Sequence, residues 1–523
     1  MKKFVCLALC LVMFSALSLG LVACVQNPET TDSLVVYNWA DYIYDYEEDF
    51  KAYYKNITGK NIEISYVTFD TNETMLTKIT KGDSTVDVMC PSEYAIQKLL
   101  ETDWLVPLNY FDEQQYAKDI SNKQNYVHNS KYIDQNIVNK IDEAFGEIAV
   151  GDKTVSMLDY MVPYMYGTLG ILYNKVQFQQ LGIYDVETLN KANWGILFND
   201  DGNGNLLSQG LDGSILMKDS IRDSYAATLF YLKQSGKLQG TKYQDMPIGQ
   251  LINAVDDTLI DLCKDVLTAQ KSQLFGYEVD FGKDDLLKGN AMVDLAWSGD
   301  ALYAYEESWN DDLNNGEGDY ELSYYVPNGA GNIWFDGWVI PKTYNPEHTE
   351  AIKLFINFLN DPVSAAANMC EIGYTSAVDP EVVRGNADAM AVLAECYLVH
   401  GYAKDDNGDL LAEEYCDYAT LAEFEEYFFD NYNEIDNSNW RYPFKFSPDS
   451  SPYKRDITTL GVMRDFGQNN KKVVTMWGYV RSAGVSALPL LLWTLAVIAV
   501  VAIVIAIVLL CKHLKGRYVV LSK

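Results

Sequence analysis

LVVYNWADYIYDYEEDFKAYYKNITGKNIEISYVTF, residues 34–69, reads as a short strand, an amphipathic helix and a second strand. Leu34-Val35-Val36-Tyr37 opens the strand, Tyr44 to Tyr54 carries the helical pattern, and Ile62 to Phe69 is again strand-like. The alternation continues with helical Glu73 to Ile79, a buried strand at Val86 to Met89 and a helix from Glu93 to Leu100. Strands alternating with helices argue for an α/β fold, a parallel sheet flanked by helices. Ala291 to Ala296 and Gly337-Trp338-Val339-Ile340 read as further buried strands. Between Pro346 and Pro362, the apolar Ile352, Phe355, Ile356 and Leu359 fall at i, i+3, i+4 and i+7, which predicts a helix bounded by its prolines.

With 523 residues the chain is too long for one core of ordinary size, so two lobes are expected. Two stretches read as insertions, about 111–153, polar and without a clear run of core residues, and 385–453, which mixes acids, aromatics and turn signals.

Both ends differ from the body. Lys2 and Lys3 precede an apolar run from Phe4 to Val22, the layout of a secretory signal, and Leu21-Val22-Ala23-Cys24 is similar to the bacterial lipoprotein box. Residues 1–23 are therefore expected to be a signal peptide, Cys24 a lipidation site and 24–33 a tether. Gly484 to Cys511 contains no charged residue and is long enough to span a bilayer as a transmembrane helix. An export signal followed by an apolar span leaves tail 512–523 in the cytoplasm, and Lys512, His513, Lys515 and Arg517 agree with the positive-inside tendency.

The formal net charge is −33. Lys2, Lys3, Lys512, Lys515, Arg517 and Lys523 lie outside the ectodomain, which makes the body more acidic still. Such a field excludes nucleic acid as a partner and favours cations. Cys90, Cys263, Cys370, Cys396 and Cys416 are widely spaced, without a CxxC, so neither a disulfide framework nor a zinc site is expected. The Asp201–Asn205 and Asp405–Asp409 clusters lack the acids a calcium loop needs at its first or twelfth position and read as tight turns. There is no GxSxG, P-loop, HExxH or GxGxxG after a strand, and the few histidines are scattered. Neither an enzyme nor a metal or other cofactor is expected.

What stands out instead is a set of segments mixing aromatics with acids. They are Tyr37-Asn38-Trp39-Ala40-Asp41-Tyr42, Cys90-Pro91-Ser92-Glu93-Tyr94, Lys218 to Asp223, Trp297-Ser298-Gly299-Asp300 and Trp334-Phe335-Asp336. Most adjoin an expected strand, so they can meet at strand ends in one cleft, where open α/β sheets bind ligands. Carboxylates pair with ammonium groups, and aromatic faces attract cations and cover methylene chains.

These segments, with Asn72-Glu73-Thr74-Met75, Arg222-Asp223 and Ile372-Gly373-Tyr374, resemble the periplasmic spermidine/putrescine-binding proteins of bacterial ABC transporters in wording, order and approximate spacing. The resemblance covers roughly 34–105 and 161–374 and fades in the two insertions. It implies a two-lobe periplasmic-binding-protein fold with hinge crossovers near 164–172 and 334–340. Lobe 1 would comprise 34–165 and 336–384, lobe 2 would be 166–335, and a helical segment 454–483 would lead to the span. It further implies that Trp39, Asp41, Tyr42, Ser92, Tyr94, Asp223, Trp297, Trp334, Asp336 and Tyr374 line the cleft. Asp41, Asp223 and Asp336 would receive ammonium groups, while Trp297 and Trp334 flank the alkyl chain. The partners so implied are a polyamine and the ABC permease subunits. Asp41 and Asp223 stand where the family often has Glu, and Ser220 where its spermidine binder has an acid. A further polar contact near the family's C-terminus has no counterpart, so putrescine and spermidine both stay open. A receptor or surface interaction protein on the same fold, or a binder of another organic cation, are the competing readings.

Overall fold

The computed structural model describes residues 31–82, 85–108, 126–183, 186–308, 322–327, 329–394, 396 and 460–483. The expected signal peptide, Cys24, nearly all of the 385–453 insertion, Cys416, the span 484–511 and the tail lie outside these residues. Among the described residues, no helix is long and apolar enough to cross a membrane.

Two sheets organise the chain. The first contains β1 (Thr31–Asn38), β2 (Asn61–Thr68), β3 (Val88–Met89), β4 (Leu105–Val106), β7 (Met161–Gly167), β14 (Trp334–Pro341) and β15 (Thr375–Ser376). Its order is β15-β7-β14-β3-β1-β2, with β4 paired to β14. β1 runs parallel to β2 and β3, as the opening alternation of strands and helices requires. However, β14 is antiparallel to β3, β4 and β7, and β15 to β7, so the sheet is mixed rather than parallel, because the crossover strands return through it. The second sheet, order β10-β9-β11-β8-β12, contains β8 (Leu169–Asn174), β9 (Ile215–Lys218), β10 (Leu274–Glu278), β11 (Val293–Trp297) and β12 (Leu322–Tyr325). Every residue of β7, β8 and β14 is buried, the sign of strands covered on both faces.

The first crossover falls within the expected 164–172, whereas the second lies between β12 and β14, just before the expected 334–340, which is itself a strand of the first sheet. β7 leaves the first sheet at Gly167 and β8 enters the second at Leu169, with Thr168 alone between them. Thr168 N donates to Ser298 Oγ at 3.2 Å and Leu169 N to Asn332 Oδ1 at 3.1 Å, so the crossover backbone keeps its partners. A side chain at Gly167 would run into the Trp334 indole, because the two crossovers touch here. The return path is β13 (Gly331–Asn332), Ile333, then β14.

The helix expected between the prolines is Thr349–Leu359, with Ile352, Phe355, Ile356 and Leu359 all buried. Asp361 then caps the Pro362–Ile372 helix through Val363 N at 3.0 Å. The Asp200–Asn205 segment is a turn: Asp200 Oδ1 accepts from Gly202 N and Gly204 N, and Asp201 Oδ1 from Asn203 N and Asn205 N.

One expectation needs correcting. The stretch around 111–153 is not devoid of core residues: it holds the helix Gln135–Phe145 and the hairpin β5 (Glu147–Val150) to β6 (Lys153–Ser156). Ile137, Ile141 and Phe145 are buried one turn apart, with Ile148 beside them. A stripe only one residue wide per turn is easily hidden among Asn, Lys, Asp and Glu.

The C-terminal described segment straps the two lobes together. β16 (Leu460–Gly461) pairs with β13, and Asp465 meets Lys98 at 3.1 Å on the first lobe. Phe466 lies edge-on to Tyr225 of the second lobe, their ring centres 5.6 Å apart. The helix Asn470–Ser482 then lies on the second lobe, where Trp477 packs edge-on against Tyr277 and Arg481 pairs with Asp219 at 3.0 Å. Trp477→Ala is expected to lower the free energy of unfolding by about 3 kcal/mol, measured by chemical denaturation. An unchanged midpoint would mean that this helix is not part of the folded unit.

Candidate functional site

Between the two sheets lies a cleft of ≈ 860 Å³, open mouth included. All ten residues singled out in the sequence line it. From the first lobe come Trp39, Asp41 and Tyr42 after β1, Ser92 and Tyr94 after β3, and Tyr374 before β15. The second lobe gives Asp223 from the helix Ile221–Gln234 and Trp297 from the end of β11. Trp334 and Asp336 come from β14 at the crossover.

Local backbone rules set these side chains. Asp41 sits at φ 47°, a left-handed conformation that Asp tolerates better than most residues. It turns the chain out of β1 and leaves Asp41 exposed at the cleft mouth. Trp39 Nε1 donates to Cys90 O at 2.9 Å, while its ring packs on Phe69. Asn72 is the hub of the β3 end: its Nδ2 lies 3.0 Å from Ser92 Oγ and 3.1 Å from Tyr94 Oη, and its Oδ1 accepts from Ser92 N. Ser220 Oγ accepts from Asp223 N, capping the helix that presents Asp223. Tyr42, Tyr374 and Trp334 form one wall, with ring centres 4.9 Å and 5.8 Å apart in succession. A side chain at Gly299 would strike the Tyr374 ring, so that glycine lets the second lobe close onto the wall.

Asp336 stands at the centre. A register shift between Asp336 and Gly337 in the pairing of β14 with β7 is a bulge that aims its carboxylate into the cleft. Burial pushes its carboxyl up to about 7, partly offset by the Ser92 and Tyr42 hydroxyls nearby. Those hydroxyls stop short of a full set of bonds, since Asp336 Oδ1 and Tyr42 Oη have no hydrogen-bond partner. Burial likewise pushes Glu93 up to about 8, even though its Oε2 accepts from Phe335 N at 2.9 Å. Its other oxygen, Oε1, is unpartnered. Asp223 and Glu73 are also raised by burial. Buried acceptors without donors are costly and are expected to gain one when a ligand arrives.

Sequence reasoning left out several lining residues. Glu73, Glu93 and Asp300 stood inside quoted segments without being assigned to the cleft. Asp70, Asp280 and Lys283 also line it. Asp280 and Lys283 are brought in by the turn after β10, and no spacing rule places that turn against β11. Among the described residues, the lining comprises eight carboxylates, one lysine and six Trp or Tyr rings. Such a set can hold an elongated organic cation.

The chain is similar to known proteins over much of its length. A family described as hypothetical lipoprotein (MG045 family) matches residues 1–193. Putrescine-binding periplasmic protein SpuD of Pseudomonas aeruginosa is 24% identical over 380 residues, 72% of this chain and 84% of that protein. Putrescine-binding periplasmic protein PotF of Escherichia coli is 23% identical over 367 residues, 69% and 81% respectively. Among solved structures, a spermidine/putrescine ABC transporter chain from Listeria monocytogenes matches with TM-score 0.53 at 24% identity, covering 86% of this chain and 99% of its own. The TpPotD lipoprotein of Treponema pallidum gives 0.52 at 16% identity with the same coverage. The chain has the two-lobe fold of the periplasmic binding proteins, and its curated homologues are the putrescine-binding periplasmic proteins.

Proposed function

We propose that this chain is a membrane-held extracellular solute-binding protein without catalytic activity, which captures a polyamine and delivers it to the permease of an ABC importer. The observation that carries the reading is the lining itself: eight carboxylates and six large aromatics against one lysine, in a cleft between two hinged lobes. Asp336, Asp223 and Asp41 receive ammonium groups, Trp297 and Trp334 flank the methylene chain, and Tyr42, Tyr94, Ser92, Trp39 and Tyr374 complete the walls. Partly desolvated ammonium–carboxylate pairs attract by about 4 kcal/mol each at an effective dielectric of 20. Stacked cation–π contacts add about 1–2 kcal/mol. Association and desolvation consume several kcal/mol, so two or three acids with two aromatics suffice for the roughly −8 kcal/mol of micromolar binding.

The lobes divide near 165–168 and near 333–336, followed by the insertion 385–453 and the segment 454–483. The signal 1–23, lipidated Cys24, the span 484–511 and the cytoplasmic tail place the body outside the cell. The lipoprotein family matched by residues 1–193 and the periplasmic curated relatives support an exported body.

Titration calorimetry of the full chain in mild detergent with putrescine, spermidine, arginine and thiamine tests the reading. A polyamine is expected to bind with micromolar or better affinity. A folded sample that binds arginine or thiamine but no polyamine would assign the cleft to another organic cation. One that binds none of the four would leave a surface receptor as the better account.

A further inference from the structure

The second-lobe end of the cleft already contains a cation of its own. Lys283 Nζ lies 3.1 Å from Asp300 Oδ1, and both residues line the cleft. The other Asp300 oxygen faces Lys218 Nζ at 3.8 Å. Lys218 belongs to the floor: it is buried, pairs with Glu278 Oε1 at 2.5 Å, donates to Val279 O at 2.9 Å and sits 4.2 Å over the Trp297 ring. Both Asp300 oxygens therefore have a lysine beside them before any ligand enters.

The root of Lys283 is fixed as well. Gly282 N donates to Glu278 Oε2 at 2.8 Å, and a side chain at Gly282 would collide with the Glu278 and Asp294 carboxylates. The short helix Gly282–Leu287 is thus pinned against β11 with Lys283 directed at Asp300. At the other end of the cleft the position is reversed, because Asp336 Oδ1 and Glu93 Oε1 have no partner. One end offers open acceptors, whereas at the other Asp300 is already paired, in a cluster where Lys283 and Lys218 stand among Asp300, Asp280, Glu278 and Asp294.

Building on the polyamine reading, we propose that Lys283 sets the length and charge of the ligand by occupying the place of a ligand ammonium on Asp300. A diamine held between Asp336 and Asp223 would leave the Lys283–Asp300 pair intact. A triamine brings a third ammonium against a resident cation, and like charges at close range discriminate between ligands as strongly as attractive contacts do. Lys283 is a specificity residue, and Asp300 is its counter-ion.

The test is calorimetric titration of the full chain and of its K283M and K283R variants with putrescine and spermidine, with thermal melts to confirm folding. Wild type is expected to bind putrescine more tightly than spermidine. K283M should shift that ratio toward spermidine by roughly tenfold or more, because Asp300 Oδ1 is then open to a third ammonium and Lys218 alone remains, beside the other oxygen. K283R, which keeps the charge, should restore the wild-type ratio. An unchanged ratio in folded K283M would overturn the role of Lys283 while leaving the polyamine reading intact. If K283M does not fold, the wild-type preference decides: tighter spermidine than putrescine overturns the proposal. Wild type that binds neither polyamine overturns the polyamine reading and this proposal with it.

Discussion

Asp336→Asn is expected to weaken polyamine binding by about 30-fold at the least, whereas Glu48→Ala on the surface should change it less than about twofold. The difference follows from where the two carboxylates sit. Glu48 lies on the outer face of the Glu47–Thr58 helix with its side chain 90% exposed, so water already screens its charge. Asp336 is buried, carried by a bulge into the centre of the cleft, and flanked by the unpartnered Tyr42 Oη and Glu93 Oε1. A ligand ammonium placed there loses its hydration and recovers it only through these oxygens. Removing the charge while keeping the shape leaves that ammonium buried beside a neutral amide, and a desolvated unpaired charge costs several kcal/mol. Calorimetry on both variants reads the effect directly, and circular dichroism verifies the fold. Affinity of the Asp336→Asn protein within threefold of wild type would remove Asp336 from the binding centre and move the search to Asp223 and Glu73.

The residues of this cleft were legible in unequal degree, for physical reasons. Trp39, Asp41, Ser92, Tyr94, Trp297, Trp334 and Asp336 follow or occupy strands whose apolar runs are plain in the sequence. A strand end in an open α/β sheet points at the ligand side, so adjoining a strand brought these segments to one cleft, while the individual residues came from the resemblance to the polyamine-binding family. Glu93 shows the limit of that rule. It opens a helix, where acids are common because the helix dipole favours them, so nothing in its spacing separates it from an ordinary first-turn glutamate. Only its complete burial and the bond from Phe335 N mark it as part of the floor. Lys283 and Asp280 were less visible still. Their place depends on β10 and β11 flanking β9, a pairing across residues far apart in sequence, and on two carboxylates that leave room only for Gly282. The helix Gln135–Phe145 was missed for a different reason, a narrow apolar stripe in a polar background, and it bears on the outer packing of the first lobe rather than on the cleft.

Ligand binding should release protons and weaken as the medium becomes acidic. In the ligand-free cleft, burial raises Asp336 to about 7 and Glu93 to about 8, so near neutral pH these groups are partly protonated. An ammonium beside them favours the ionised form and expels the proton. Between pH 8.5 and 5.5 the ionised fraction of Asp336 alone falls roughly thirtyfold, and affinity should fall at least as far if Asp336 is the central acceptor. The stability of the empty protein should run the other way. A carboxyl whose folded value lies above its unfolded value binds more protons when folded, so its contribution is largest in mild acid and is lost as pH rises through about 7 to 8. Between pH 6 and 8.5 the ligand-free melting temperature should therefore drop, while the rise produced by saturating polyamine should grow. Titrations in two buffers of different protonation enthalpy measure the released protons, and melts with and without ligand measure the opposing trends. No proton release on binding, or an affinity that does not change between pH 8.5 and 5.5, would show that the ligand's ammonium groups are received by exposed acids such as Asp41 rather than by the buried pair at the crossover.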